Sequence, residues 1–296
     1  MRCLVTGGCG FIGSNLVDKL IEIGHDVVVV DNESATAHES FYYNKLAKYY
    51  KYDIIDYVKT RPLYEGVDYV FHLAAESRIQ PCVENPIMAV ETNTVGTATV
   101  LQCAREADVQ RVIYSSTSSA YGLKNTPPLH EDMLEDCLNP YSVSKVAGEK
   151  LCKMYTDLFG LETITFRYFN VYGPRQPLKG QYAPVIGLFL RQLRNGEQLT
   201  VVGDGEQRRD FTHVNDVVEA NILCTTKGVP GELYNVGTGK NYSVNELTNM
   251  ISNEVKFITA RPGESRISLA NSDKLKSLGW KPTVELEKYI KEQLNG

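Results

Sequence analysis

A single tryptophan, five histidines and seven cysteines with no C-x-x-C pair leave little from which to build a metal centre, since no cluster completes a ligand shell. No metal is expected. Long apolar runs are missing too: nothing approaches the roughly 18 residues that span a bilayer, so no membrane partner is expected. Neither sign of charge dominates, with 31 Lys plus Arg against 36 Asp plus Glu and a formal charge of -5. Without a basic run to track phosphates, nucleic acid is not an expected partner. The odd number of scattered cysteines reads as reduced thiols, with Cys3 and Cys9 acting as small buried hydrophobes. Met1-Arg2 leads into a short apolar run with no cleavage site, and a cytoplasmic location is expected. Internal repeats and low-complexity tracts are also missing.

What is present, over 296 residues that are 43 % hydrophobic and 23 % charged, is apolar material for about two domains. Short β-branched runs at Cys3–Val5, Asp26–Val30, Asp68–Phe71, Arg111–Tyr114 and Thr163–Phe166 alternate with helical patterns such as Phe11–Ile23 and Val90–Arg105. This alternation predicts an α/β fold with a parallel, doubly wound sheet, and the unbroken apolar runs predict that both its faces are covered. After about residue 170 the rhythm gives way to Gly- and Pro-rich turns, with helices expected near Pro184–Arg194 and Asn215–Cys224. The expected division is a cofactor-binding domain over 1–170 and, over 171–296, mainly a smaller α/β substrate lobe with excursions back to the first.

Thr6-Gly7-Gly8-Cys9-Gly10-Phe11-Ile12-Gly13 follows the first strand and opens a helix. Glycines at 7, 10 and 13 allow a tight turn, close approach of a pyrophosphate and close helix–strand packing, while the helix start supplies free N–H groups. An ordinary tight turn would look the same in isolation. The second strand, however, leads into Asp31, whose carboxylate can accept hydrogen bonds from an adenosine ribose, and the combination predicts a dinucleotide site. Asp31 would repel a 2′-phosphate and Asn32-Glu33-Ser34 offers no arginine to receive one, so NAD is favoured over NADP.

Tyr141 and Lys145 stand four apart after Asn139-Pro140, at an expected helix start, and so project from one face. A nearby ammonium favours phenolate over phenol, which predicts a lowered pKa and a general base at Tyr141; a ring packed on a lysine stem is the other reading. Ser115-Ser116-Thr117-Ser118-Ser119 ends a strand at the carboxyl edge of the sheet, where open α/β folds bind ligands. Thr117 is the natural donor to a substrate oxygen, although a Ser/Thr-rich turn alone would read as a loop.

These residues, together with His72-Leu73-Ala74-Ala75, Asn93-Thr94-Val95-Gly96-Thr97, the segment Arg167 to Arg175 and Arg209-Asp210-Phe211-Thr212-His213-Val214, resemble the extended short-chain dehydrogenases that act as nucleotide-sugar epimerases and dehydratases. The resemblance runs through Leu278-Gly279-Trp280-Lys281-Pro282 and is strongest to the branch of UDP-glucose and UDP-N-acetylglucosamine 4-epimerases.

The resemblance implies a Rossmann-type sheet with bound NAD and a UDP-sugar substrate. It implies that Gly7, Gly10, Phe11, Ile12 and Gly13 hold the pyrophosphate, Asp31 and Asn32 the adenosine ribose, and Asp53 and Ile54 the adenine edge. Leu73, Ala74, Ala75 and Asn93 would line the nicotinamide side, where Tyr141 and Lys145 also reach the cofactor. Thr117, Tyr141 and Lys145 would be the catalytic set. Ser118 and Ser119 would lie beside the substrate, with Asn170, Arg209, Arg261 and Glu264 gripping the nucleotide diphosphate and its ribose. Members that eliminate water carry Asp-Glu directly after the threonine, and the decarboxylases carry a glutamate two residues after it; Ser118 and Ser119 stand there instead, which leaves reversible oxidation and reduction at C4. The residue seven positions after Arg261 is Ser268, expected beside the sugar's C2 substituent with room for an acetamido group. A homodimer is implied through the helices Glu91–Glu106 and Tyr141–Phe159, with Leu151, Met154, Tyr155 and Leu158 at helical spacing; burial of these four inside the monomer is the other reading. UDP-glucuronate 4-epimerisation, a related lyase activity and a non-catalytic NAD-sensing module remain alternatives.

Overall fold

The computed structural model describes residues 1–35, 38, 40–178, 184–259 and 266–295. In chain order the first strands are β1 (Arg2–Thr6), β2 (Asp26–Val30), β3 (Lys48–Tyr50), β4 (Tyr69–His72), β5 (Arg111–Thr117) and β6 (Glu162–Tyr168). Together with Leu233–Val236 they form a parallel sheet among the described residues, in the order Leu233–Val236, β6, β5, β4, β1, β2, β3. The order reverses between β1 and β4, and at such a switch point the carboxyl ends of the strands open a crevice.

Side chains along the strands alternate between two cores. Cys3, Val5, Val29 and Ile113 join the core under the first helix, Phe11–Glu22, and the helix Val214–Leu223. Leu4, Val28, Val112 and Tyr114 face the helices Gly96–Glu106 and Pro140–Phe159 on the other side. The interior strands β1, β2 and β4 therefore read as nearly unbroken apolar runs because both of their faces are buried.

Two strands depart from the expected pattern. β3 is a short edge built from Lys48-Tyr49-Tyr50, whose half-exposed residues carry little strand signal. Leu233–Val236 lies beyond the expected end of the first domain yet pairs with β6, and Tyr234, Val236, Leu275 and Trp280 complete the first core. The second lobe has a core of its own, in which Phe189, Leu199, Leu247 and Ile290 pack together.

The expected helix Val90–Arg105 is interrupted. Pro86–Val90 is α-helical, Glu91–Val95 widens into a π turn, and Gly96–Glu106 resumes the α-helix. Periodicity does not disclose such an insertion, and π turns gather at functional positions. Here it turns Asn93 and Thr94 toward Ser144, one turn into the long helix.

Candidate functional site

The glycine loop is shaped for close approach. Gly7 sits at φ +72°, and a Cβ there would lie 2.7 Å from Ala74 N, while a Cβ on Gly13 would lie 2.1 Å from Gly7 O. These two glycines are required by the chain's own packing. Gly10 differs, because a Cβ there would meet Gly7 O and His38 Nε2 at 3.5 Å, an ordinary contact distance, so the chain's own packing does not demand glycine. Gly10 is also the N-cap of the first helix, with no side-chain cap and no acid in the first turn, so the N–H groups around Phe11 and Ile12 face an uncapped helix start. That cradle fits a dinucleotide pyrophosphate. Beside it, Asp31 accepts from Cys9 N–H (2.9 Å) and Glu33 N–H (2.8 Å), which fix the carboxylate while burial raises its pKa against them. Asn32 Nδ2 donates to Asp53 Oδ2 (2.8 Å), which brings together the residues expected around adenosine, with Ile54 buried behind them.

At the side expected to face the nicotinamide, a chain of donors runs through His72. Thr97 Oγ1 donates to Asn93 O (2.6 Å), as the helix geometry requires, so its oxygen accepts from His72 Nε2–H at 2.9 Å. That leaves Nδ1 to accept from Thr6 Oγ1–H at 2.8 Å, while the Thr6 oxygen takes Ala74 N–H at 3.2 Å. The imidazole is neutral: burial, then the Lys145 charge, push it down to about 3. Leu73 N–H donates to Thr6 O at 3.1 Å, and the Leu73-Ala74-Ala75 strap stays half-buried at the crevice. Asn93 is fully buried and committed, accepting from Glu76 N–H (2.8 Å) and donating to Glu76 O (3.0 Å) and Ser144 Oγ (3.0 Å). Its amide braces the strap against the long helix.

That helix starts at a capping box. Asn139 accepts from Ser142 N–H at 2.9 Å, Ser142 Oγ accepts from Asn139 N–H, and Pro140 occupies the first turn. Thr117 stands beside the Tyr141 phenol, where its hydroxyl favours the ionised form, and Thr117 Oγ1 accepts from Ser119 N–H at 3.1 Å. Ser118 and Ser119 form the turn that follows. Lys145 is buried, with Nζ 4.3 Å from the centroid of the Tyr114 ring. Burial pushes Lys145 down to about 7 against the opposing pull of Cys152 and Glu149. The expected lowering of Tyr141 does not occur in the chain alone: burial carries it up to about 12, and the Thr117 hydroxyl offsets only part of this. Desolvation of the phenolate dominates, and Lys145 is itself desolvated.

The substrate-side candidates gather on the second lobe. Asn170, at φ +24°, donates from Nδ2 to Asp210 O (2.9 Å). Arg209 lies on the strand Arg208–Asp210, its Nη1 donating to Arg208 O (2.9 Å). Ser268 N–H donates to Arg208 O (3.0 Å), and Ser268 O accepts from Asn241 Nδ2 (3.3 Å). Asn170, Arg209 and Ser268 are thus brought together around one strand. Arg261 and Glu264 lie outside the described residues. The two clusters are joined through Tyr121, which donates to Asn235 Oδ1 (2.7 Å), and Asn235 Nδ2, which donates to Leu129 O (2.9 Å) and Asn271 O (3.1 Å).

The family model described as "NAD dependent epimerase/dehydratase family" matches residues 3–237. The chain belongs to that family. A UDP-glucose 4-epimerase of Mycolicibacterium smegmatis is 37 % identical, with 98 % of this chain and 96 % of the relative covered. Among solved structures, a UDP-glucose 4-epimerase from Thermotoga maritima with UDP-glucose matches at TM-score 0.94 and 36 % identity, covering 100 % of this chain and 98 % of that one. A UDP-N-acetylglucosamine 4-epimerase from Methanobrevibacter ruminantium, in complex with UDP-N-acetylmuramic acid, matches at TM-score 0.93 and 33 % identity, covering 99 % and 97 %. The protein is an NAD-dependent epimerase of the UDP-sugar class with a Rossmann-type fold.

Several residues of this epimerase's site escaped sequence reading. His72 lies in a quoted motif, but its bridging role needs three elements in register. Glu149 follows Lys145 by one helical turn and was findable by spacing; it accepts from Ser116 Oγ at 2.5 Å and from Arg167. Glu76, half-buried beside the helix that carries Tyr141, bears electrostatically on that residue. Of the four residues expected at an interface between copies, Tyr155 is instead buried in the monomer, donating to Gln102 Oε1 (3.0 Å), and Leu151 packs on the same core, because that side of the helix faces the sheet. Met154 and Leu158 remain exposed. Among the described residues no group of ligands suits a metal, and no helix is long and apolar enough to cross a membrane.

Proposed function

We propose that this epimerase inverts C4 of a UDP-hexose, interconverting UDP-glucose with UDP-galactose and also UDP-N-acetylglucosamine with UDP-N-acetylgalactosamine, through a transient 4-keto sugar. The observation that carries this reading is the juxtaposition of Thr117, at the end of β5, with Tyr141 near the start of the long helix and Lys145 one turn along it. Bound NAD supplies the acceptor and donor of a hydride at C4. Tyr141 takes the proton of the C4 hydroxyl and later returns it, Thr117 donates to the same oxygen, and the positive charge of oxidised NAD, when bound, would add to that of Lys145 the stabilisation of phenolate that the chain alone lacks. The keto sugar then turns about its phosphate linkage and presents its other face.

Serines at 118 and 119 support epimerisation over dehydration, since neither can provide a second proton-transferring carboxyl. Asn170, Arg209, Arg261 and Glu264 are assigned to the nucleotide diphosphate and its ribose. Ser268 is assigned to the C2 side, where a small side chain leaves the volume of an aromatic ring free. The separate core of the second lobe supports giving it mainly to the substrate. A homodimer is part of the same proposal, supported by exposed Ile87, Val90, Val95, Met154 and Leu158.

The test is incubation with a panel of UDP-sugars followed by chromatography, with kcat/KM compared for plain and N-acetylated pairs in wild type and Ser268→Tyr. Both pairs should interconvert, and the substitution should abolish only the N-acetylated reaction. Turnover of UDP-glucuronate alone, or an unchanged ratio in Ser268→Tyr, would overturn the substrate assignment.

A further inference from the structure

Beside Arg209 lies a carboxylate for which the proposed chemistry has no use. Asp210 is fully buried. Its Oδ1 accepts from Thr238 N–H (2.9 Å) and Thr238 Oγ1–H (2.7 Å), and its Oδ2 accepts from Gly239 N–H (2.9 Å) and Ala270 N–H (3.0 Å). Its backbone carbonyl accepts from Asn170 Nδ2 (2.9 Å). Two chain segments far apart in sequence therefore converge on one side chain, and a third on its backbone carbonyl.

We propose that Asp210 is a positioning residue for the nucleotide-sugar site: its carboxylate locks the strand carrying Arg209, the Thr238–Gly239 turn and the segment carrying Ser268 into one frame with Asn170. The inference rests on the reading of Asn170, Arg209 and Ser268 as substrate residues. Because side chains alternate along a strand, an inward Asp210 sends Arg209 to the opposite face, and whatever fixes one fixes the other. The segment is held elsewhere by backbone bonds, from Arg208 N–H to Arg266 O (2.8 Å), from Ser268 N–H to Arg208 O (3.0 Å) and from Leu129 N–H to Leu269 O (2.7 Å). Asp210 adds the bond at Ala270 and also holds the turn, next to Ser272 Oγ, which accepts from Gly237 N–H (3.2 Å) and lies 2.8 Å from Gly237 O.

The residue type follows from the donors. Four N–H or O–H groups directed at two oxygens suit an ionised carboxylate, which only accepts. An apolar residue would strand all four, and an asparagine would turn an NH2 group against two donors. Burial works against the charge and raises the pKa of Asp210, opposed by these same hydrogen bonds. A carboxylate kept under that penalty beside a phosphate-directed arginine serves placement rather than packing.

The experiment uses the full chain with NAD, and UDP as the probe. Asp210→Asn is expected to raise the Kd for UDP and the KM for the UDP-sugar at least about tenfold, with kcat within about threefold and NAD affinity unchanged. Thr238→Val, which removes one of the four donors, is expected to give a rise of about two- to threefold. Wild-type UDP affinity in Asp210→Asn, a fall in kcat at constant KM, or a parallel loss of NAD binding would overturn the proposal. Should Asp210→Asn not fold, unchanged UDP affinity in Thr238→Val overturns it. Failure of the unaltered protein to bind UDP would overturn the substrate reading itself, and this inference with it.

Discussion

Arg167 and Glu149 form a two-point ion pair inside the protein, Nε to Oε1 at 3.0 Å and Nη2 to Oε2 at 2.7 Å, with only 1 % and 7 % of the side chains exposed. Ser116, the residue before Thr117, donates to the same carboxylate, so the pair ties the end of β5 to the helix that carries Tyr141 and Lys145. Removing one partner strands a buried charge. Glu149→Gln should lower unfolding stability by about 3–5 kcal/mol, whereas Glu149→Leu with Arg167→Met should recover much of that loss. Denaturant midpoints of the three proteins check this; a single variant as stable as wild type would show that the pair is solvated in solution.

Removing the phenol oxygen isolates the chemical step. Tyr141→Phe keeps the ring, so NAD and UDP should still bind while turnover falls at least about 10²-fold. Thr117→Ser retains the hydroxyl and should be mild. Steady-state rates beside binding titrations read the two effects apart, and near-normal turnover in Tyr141→Phe would assign the base elsewhere.

Acid should destabilise the fold through His72. Its pKa is about 3 in the folded chain against 6.5 unfolded, so between those values the unfolded chain binds a proton that the folded one refuses. Stability then falls as the pH drops from 6.5 toward 3, by up to about 1.4 kcal/mol per pH unit, and is unaffected by this group above 6.5. His72→Gln should be less stable at pH 7 but should lose less on acidification. Unfolding curves at pH 7 and 4.5 compare the two slopes.

Cofactor choice should follow Asp31. NAD is expected to bind well ahead of NADP, and Asp31→Ala with Asn32→Arg should narrow the gap. Because Asp31 also accepts from Cys9 and Glu33, the double variant should lose some stability as well. Titration with both dinucleotides checks the preference, which equal affinities in the unaltered protein would refute.

Association should depend on the exposed side of the long helix. Leu158 is 68 % exposed and Met154 37 %, and Leu158→Glu should convert a dimer to monomer without touching the site. Light scattering at micromolar concentration reads the mass directly. A wild-type mass of one subunit would refute the dimer.

What sequence could disclose here was whatever is local. The glycine loop, the Tyr141–Lys145 spacing and the apolar strands each depend on a few neighbouring residues, so pattern alone exposes them. Leu233–Val236 was missed because its place in the sheet depends on pairing with β6, some 65 residues earlier in the chain. The π turn at Glu91–Val95 changes one hydrogen-bond step without altering composition, and so left no trace. Tyr141 shows the same boundary in electrostatics. Spacing predicts that a lysine is near but not that the phenol is buried, and the sign of the shift turns on the second fact.

The pairing of Leu233–Val236 with β6 bears on how the protein is made. As synthesis proceeds from the N-terminus, the first 170 residues emerge with the strand intended for the interior of the sheet standing at its rim, its backbone N–H and C=O groups open to any other extended chain. The cover arrives only when Leu233–Val236 has left the ribosome, and the core beneath it closes later still, with Leu275 and Trp280. A fragment cut near residue 170 should therefore aggregate rather than serve as a free-standing NAD-binding module, and an excised version would need residues 214–236 and 272–280 grafted back.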